Sequence, residues 1–144
     1  MANPKAGTPR PQIHLLASES DMVAGLALQA EERQPVVAAM LLGEIERAEL
    51  YDPESLPDDA VRLGSDVDFV DEKTSQLRKV RIVLPLHANI AEGRISILTP
   101  MGAALYGLRT DDSIDWPDLD GKSRRIRIVR VSQSAAGASQ PSVN

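Results

Sequence analysis

Few side chains in this sequence could do chemistry, and their spacing excludes most of the chemistry they could do. His14 and His87 are the only histidines. They lie far apart without a carboxylate pattern beside either, so packing or surface roles are expected of them. No Ser-His-Asp order, glycine-rich phosphate loop or His-Glu-x-x-His spacing occurs. Nothing therefore points to catalysis, and no cofactor is expected. Cysteine is absent, which excludes disulfides and thiolate metal sites. Lys79, Arg81, Arg124, Arg125, Arg127 and Arg130 could form a basic face for nucleic acid. They lack interleaved aromatic residues, and Asp66 and Asp68 can serve as cross-strand partners, so a solvated charge ladder is expected instead. Glu31 and Glu32 form an adjacent carboxylate pair in a polar break, where turn-favouring, solvated residues are ordinary.

The richest segment is Ile95–Asp112. Ile95 and Ile97 alternate with Ser96 as in a half-buried strand. Thr99 is then a natural N-cap, and Pro100 suits the first helical position, where a missing N–H costs nothing. Met101, Ala104, Leu105 and Leu108 follow at helical spacing, and Gly107 is placed to end the helix. Gly102 inside it costs roughly 1 kcal/mol relative to alanine. That cost implies that the backbone must approach something closely. No catalytic group is aimed from this junction.

These residues need a scaffold, and composition bounds what it can be. A chain of 144 residues permits one ordinary domain, or a small domain with an appendage. The 42% hydrophobic content suffices for a core, but only Tyr51, Phe69, Tyr106 and Trp116 are aromatic, so that core must be aliphatic. No apolar run approaches the ~20 residues of a membrane span, and Met1–Pro11 shows no secretory signal. A soluble cytoplasmic protein is expected. Charge is unevenly divided: Gln12–Asp59 holds two basic and eleven acidic residues, whereas Ala60–Val131 holds twelve basic and ten acidic. The acidic half should be repelled by phosphates, so direct binding of nucleic acid is not expected. It suits a cationic or metal-bearing cavity on a partner.

The pattern along the chain predicts an α+β protein. Residues 1–11 read as a disordered tail. Residues 12–51 read as a short antiparallel helical hairpin, opened by an approximate capping box at Ser18 and Asp21. Met22, Val23, Leu26, Ala27 and Ala30 line one arm. Glu31 and Glu32 form the tip, Pro35 starts the second arm, and Val37, Met40, Leu41, Ile45 and Ala48 line it to about Leu50. Arms of this size are about 20–24 Å long. Residues 52–59, with Pro53 and Pro57, form a linker. From Val61 the period changes to two, predicting a strand pair over Val61–Phe69 and Val80–Leu84 with a polar turn between. The Ile95 strand, one short helix and a strand at Ser113–Trp116 follow, with a turn at Pro117–Gly121. In the last strand, Arg124–Val131, a phase change between Ile128 and Val129 predicts a bulge. Together 60–131 predict an antiparallel sheet carrying one short helix. Residues 132–144 read as a flexible tail.

The motif Ile-Ser-Ile-x-Thr-Pro-x-Gly-x-Ala-Leu-x-Gly at Ile95–Gly107, followed by Asp112-Ser-Ile114, resembles the signature of the C-terminal domain of the Gre transcript-cleavage factors. Val61-x-Leu-Gly-Ser-x-Val-x-Phe69 and Leu84-Pro85 extend it upstream. Within that GreA/GreB superfamily the pattern is most similar to the regulator of nucleoside diphosphate kinase group.

The resemblance implies an FKBP-like sheet domain and a non-enzymatic transcription regulator that binds RNA polymerase at the rim of its secondary channel. Family members carry Asp-Ser-Pro at the helix head that docks there. Here Thr99 and Pro100 keep the last two positions and Leu98 replaces the acid, so Leu98, Thr99, Pro100 and Met101 are the expected polymerase contact. Acidic residues at the tip of the long Gre coiled coil help hold a catalytic metal in the polymerase, and carboxylates suit magnesium. Glu31 and Glu32 occupy a tip on much shorter arms. The implied role is therefore occupancy of the channel in competition with Gre factors, without stimulated cleavage and without a metal site in this chain. Direct regulation of nucleoside diphosphate kinase is the alternative. Prolyl isomerisation, a third reading of an FKBP-like fold, would want an aromatic-lined pocket that four scattered aromatics do not supply.

Overall fold

Ile13 and Leu15 alternate with half-buried His14 and point into the core, making a first short strand, β1 (His14–Leu16). The computed structural model describes residues 11–117 and 123–133. The expected tails, apart from Pro11, Ser132 and Gln133, lie outside the described residues, as does most of the expected turn at Pro117–Gly121. α1 (Ala17–Ala30) follows β1 directly, and α2 (Pro35–Arg47) packs against it across the turn at Glu31–Gln34. α2 opens on Pro35 as expected. α1 has no side-chain cap: it starts behind Leu16, and Ser20 Oγ donates to the Ala17 carbonyl at 2.8 Å instead. The buried face of α1 is Ser20, Val23, Ala27 and Ala30, which leaves Met22 on the surface.

The second arm stops at Arg47, and Glu49–Tyr51 forms β2, paired in parallel with β1. Nothing in the periodicity of three-residue strands announces this pair. Glu49 N donates to the Ile13 carbonyl at 2.9 Å within the pair, and one bond fastens it from elsewhere: His14 N donates to the Gly107 carbonyl at 3.0 Å. Gly107 has φ of 85°, and a Cβ there would lie 2.7 Å from Ile13 Cβ. Only glycine meets both demands.

The remaining strands are β3 (Ser65–Asp71), β4 (Gln76–Val83), β5 (Arg94–Ser96), β6 (Ser113–Pro117) and β7 (Ser123–Gln133). They form one sheet in the order β5-β4-β3-β7-β6. β3 buries Ser65, Val67, Phe69 and Asp71 in strict alternation. In β7, Asp68 pairs with Arg130 and Phe69 with Ile128, so Val129 is the extra residue of the bulge that the phase change predicts.

The expected antiparallel sheet needs one correction: β5 runs parallel to β4. Two 3₁₀ turns, Pro85–His87 and Ile90–Glu92, carry the chain back to the level of Arg81 before it re-enters the sheet in the same direction. α3 (Pro100–Leu105) follows β5. Ile13, Val23, Ala27, Val37 and Leu41 share one core with Val67, Phe69, Ile82, Ile97, Leu105, Tyr106 and Ile128. The core is aliphatic apart from Phe69 and Tyr106.

Candidate docking head and its support

β5 ends on Ser96, and the chain turns there through a hydrogen-bonded knot. The Ser96 carbonyl accepts from Thr99 N at 3.1 Å and from Thr99 Oγ1 at 2.7 Å. Leu98 N donates to Ser96 Oγ at 2.9 Å. Thr99 Oγ1 in turn accepts from Gly102 N at 3.1 Å, which makes Thr99 the N-cap of α3. Pro100 stands at the first helical position and is exposed. Leu98 and Met101 are half-buried, with their inner sides packed on the core.

Gly102 explains why the helix tolerates a poor helix former. A Cβ at this position would lie 2.3 Å from the Ser96 carbonyl oxygen and 3.1 Å from Ile97 Cα. Both obstacles are backbone, and neither can rotate away. The helix therefore sits against its preceding strand at a distance that only glycine allows.

The structure thus gathers Leu98, Thr99, Pro100 and Met101 into one rigid corner with an exposed proline. Ser96, which organises that corner, carries no signal of its own: the alternation with Ile95 and Ile97 predicts it outward, whereas it is buried.

A second missed residue supports the head from behind. Glu19, in the first turn of α1, accepts from Tyr106 Oη at 3.0 Å and from Leu63 N at 3.1 Å. Arg62 Nε lies 3.8 Å from its other oxygen. One carboxylate therefore joins α1, the segment entering β3, and the end of α3. Tyr106 is fully buried, and burial followed by the adjacent Glu19 charge pushes its phenol well above the ordinary range. It is a neutral donor to that carboxylate.

Glu31 and Glu32 lie elsewhere, exposed between α1 and α2. About 18 Å of helix axis separates Glu31 from Glu19 at a 1.5 Å rise per residue. Their turn is closed by backbone bonds alone, with Arg33 N and Gln34 N donating to the Ala30 carbonyl at 3.1 and 2.8 Å. Among the described residues no three histidine or acidic side chains are grouped as metal ligands. His14 Nδ1 shares a 2.8 Å hydrogen bond with Tyr51 Oη, linking β1 and β2, and His87 is exposed.

Three of the basic residues form part of the expected ladder. Arg81 takes both oxygens of Asp66, at 2.8 and 3.2 Å, Arg125 meets Asp115 at 3.1 Å, and Arg127 meets Glu72 at 3.3 Å. No helix among the described residues is long and apolar enough to cross a membrane.

This geometry can be set beside known proteins. Residues 56–133 match the family model described as "Transcription elongation factor, GreA/GreB, C-term". The chain belongs to the GreA/GreB family. The matched stretch includes the corner at Leu98–Met101, all five strands of the main sheet and the Leu63 amide that Glu19 holds.

The "Regulator of nucleoside diphosphate kinase" of Escherichia coli is 30% identical over 102 residues, covering 71% of this chain and 75% of that protein. The "Transcription elongation factor GreA" of Mesorhizobium japonicum is 34% identical over 130 residues, 85% of this chain and 82% of that one. A solved GreA/GreB elongation factor from Nitrosomonas europaea superposes with a TM-score of 0.68 at 32% identity. It covers 85% of this chain and 99% of that chain. This GreA/GreB family likeness therefore reaches beyond the matched domain into the helical arms. The names its members bear are those of factors and regulators, not of enzymes.

Proposed function

We propose that this chain is a cytoplasmic, non-enzymatic transcription regulator that binds RNA polymerase. In this reading an FKBP-like unit over 60–131 anchors on the rim of the secondary channel through Leu98, Thr99, Pro100 and Met101. The helical hairpin, 12–51, joined by 52–59, occupies the channel in place of a Gre factor. Glu31 and Glu32 contact the channel without reaching a catalytic metal, so cleavage is not stimulated, and neither metal nor nucleic acid is bound directly.

The observation that supports this reading is the pairing of a GreA/GreB C-terminal match, containing the corner at Leu98–Met101, with short arms. The head lies within a family match that spans 56–133, and the helices hold only 14 and 13 residues. At 1.5 Å per residue each arm extends about 20 Å. The replacement of the family's acid by Leu98 moves the contact from charge towards burial.

Competition on core polymerase tests it. Purified chain should displace a labelled Gre factor and leave transcript cleavage in a stalled complex unstimulated. Failure to displace overturns the docking reading, and stimulated cleavage overturns the occupancy mechanism. The name of the Escherichia coli relative favours a second reading, direct contact with nucleoside diphosphate kinase. A pull-down that recovers that kinase without polymerase would support it.

A further inference from the structure

The ten residues between β4 and β5, Leu84–Gly93, hold two side chains in an unusual state. Leu86 is 89% exposed and Ile90 is 83% exposed, more than any other large hydrophobic residue among those described. A single exposed leucine is ordinary. Here the two are four residues apart, which keeps them within about 14 Å of one another.

Their backbone is also tied down. His87 N donates to the Leu84 carbonyl at 2.9 Å, Gly93 N to the Ile90 carbonyl at 3.0 Å, and Arg94 Nε to the His87 carbonyl at 3.0 Å. Asn89 and Arg94 exchange backbone bonds of 2.8 and 3.0 Å, so the connection bridges onto the start of β5 with its own chain. The backbone is tied back while the two apolar side chains stand in water. Apolar groups fixed in place before contact lose little entropy on binding.

The surroundings are polar and slightly basic. A cavity of about 460 Å³ is lined by Leu86, His87, Ala88, Val83, Arg81 and Arg94. A second, of about 490 Å³, shares Arg81 and Arg94 and continues over Asp66, Asp68, Lys79 and Arg130. Asp66 holds Arg81, and Glu92 holds Arg94. The next row is not balanced: Asp68 stands in register with both Lys79 and Arg130, two cations to one carboxylate.

We propose that this connection and the trough beside it form a second contact with RNA polymerase, taking an amphipathic acidic segment of that protein. Apolar side chains of the segment pack on Leu86 and Ile90, and its carboxylates lie over Lys79 and Arg130. A nucleic acid fits less well, because Leu86 and Ile90 give it nothing to pack against. A trough holding three carboxylates among its four cations is also too nearly neutral for a polyanion, whereas one or two carboxylates can be placed over Lys79 and Arg130. The contact is continuous with the docking head, since β5 runs from Arg94 into Leu98 within four residues. The proposal rests on the polymerase reading above.

The test uses the full chain in a binding titration on core polymerase. Because both residues are already in water, Leu86→Asp with Ile90→Asp should leave the thermal unfolding curve unchanged. That double variant should bind about tenfold more weakly, the scale of losing interfacial anchors. Lys79→Glu with Arg130→Glu should weaken binding at low salt and match wild type at high salt, where exposed charges are screened. A head variant, Pro100→Glu with Met101→Glu, separates the two readings. Lost binding in the head variant with wild-type binding by L86D/I90D overturns the second contact alone. No binding by the wild-type chain overturns the polymerase reading and this contact with it. A self-association of the wild-type chain that L86D/I90D abolishes, with polymerase affinity unchanged, assigns the surface to a second copy and overturns the proposal.

Discussion

The head of α3 and the turn between α1 and α2 are both short and reach the surface, yet they are held in different ways. At the head, Ser96, Thr99 and Gly102 are bound to one another through backbone and side chain, and the helix touches its own preceding strand. At the turn, backbone bonds close the chain and the two glutamates extend into water. The first arrangement fixes the direction of Leu98, Pro100 and Met101. The second fixes no side chain. An anchor must lose little entropy on docking, so rigidity of the first kind suits it. A tip that fills space in a channel needs only its bulk and charge.

Gly102→Ala should break this contrast most severely. The new methyl would meet the Ser96 carbonyl at 2.3 Å, and helix or strand backbone must shift to relieve it. Overpacking against rigid neighbours costs about 3 kcal/mol at the upper end of its usual range. Urea unfolding should show that loss, and competition with a Gre factor should fall even at concentrations where the chain remains folded.

Tyr106→Phe should come next. It removes one donor from the Glu19 carboxylate while leaving Leu63 N and Arg62 in place. Hydrogen bonds to charged groups contribute about 2 kcal/mol. The expected result is a comparable loss of stability, with α1 less firmly attached to the head. Amide exchange should then quicken at Leu63 and in the first turn of α1, and stay unchanged at Gly102.

Thr99→Ala should have a smaller effect, about 1 kcal/mol for a lost N-cap. Thr99→Ser retains the hydroxyl that bridges Gly102 N and the Ser96 carbonyl, so it should recover most of the loss. A serine variant as unstable as the alanine variant would show that the methyl, not the cap, carries the contribution.

Much of the head was legible because its signals are local. A cap, a proline at the first helical position and a costly glycine lie within four residues of one another, and each has a single physical reading. The Val129 bulge was legible for the same reason, as a break in a two-residue period. The support of the head was not. Glu19, Leu63 and Tyr106 are far apart in sequence, and no periodicity marks a glutamate that will be shared among three elements. β1 and β2 escaped notice because three residues make no pattern, and their pairing depends on a glycine more than fifty residues further on. The helical spacing places Met22 inward because a broad apolar stripe does not reveal its own centre; the actual centre falls between Val23 and Ala27. The direction of β5 was set by the folding of the 84–93 connection, which its residue types did not announce.

Glu31→Gln with Glu32→Gln should have the smallest effect on the fold and is the sharpest test of the tip. Both side chains are exposed, and Glu31 ends α1 through its backbone N–H rather than its side chain, so stability should stay within about 0.5 kcal/mol of wild type. If the head anchors and the tip only occupies, displacement of a Gre factor should persist with a modest change in salt dependence, because rim charges act mainly on encounter. Loss of displacement in this variant, with its unfolding curve unchanged, would reverse the assignment. The carboxylates would then be the anchor, and the rigid corner at Thr99 would serve the fold alone.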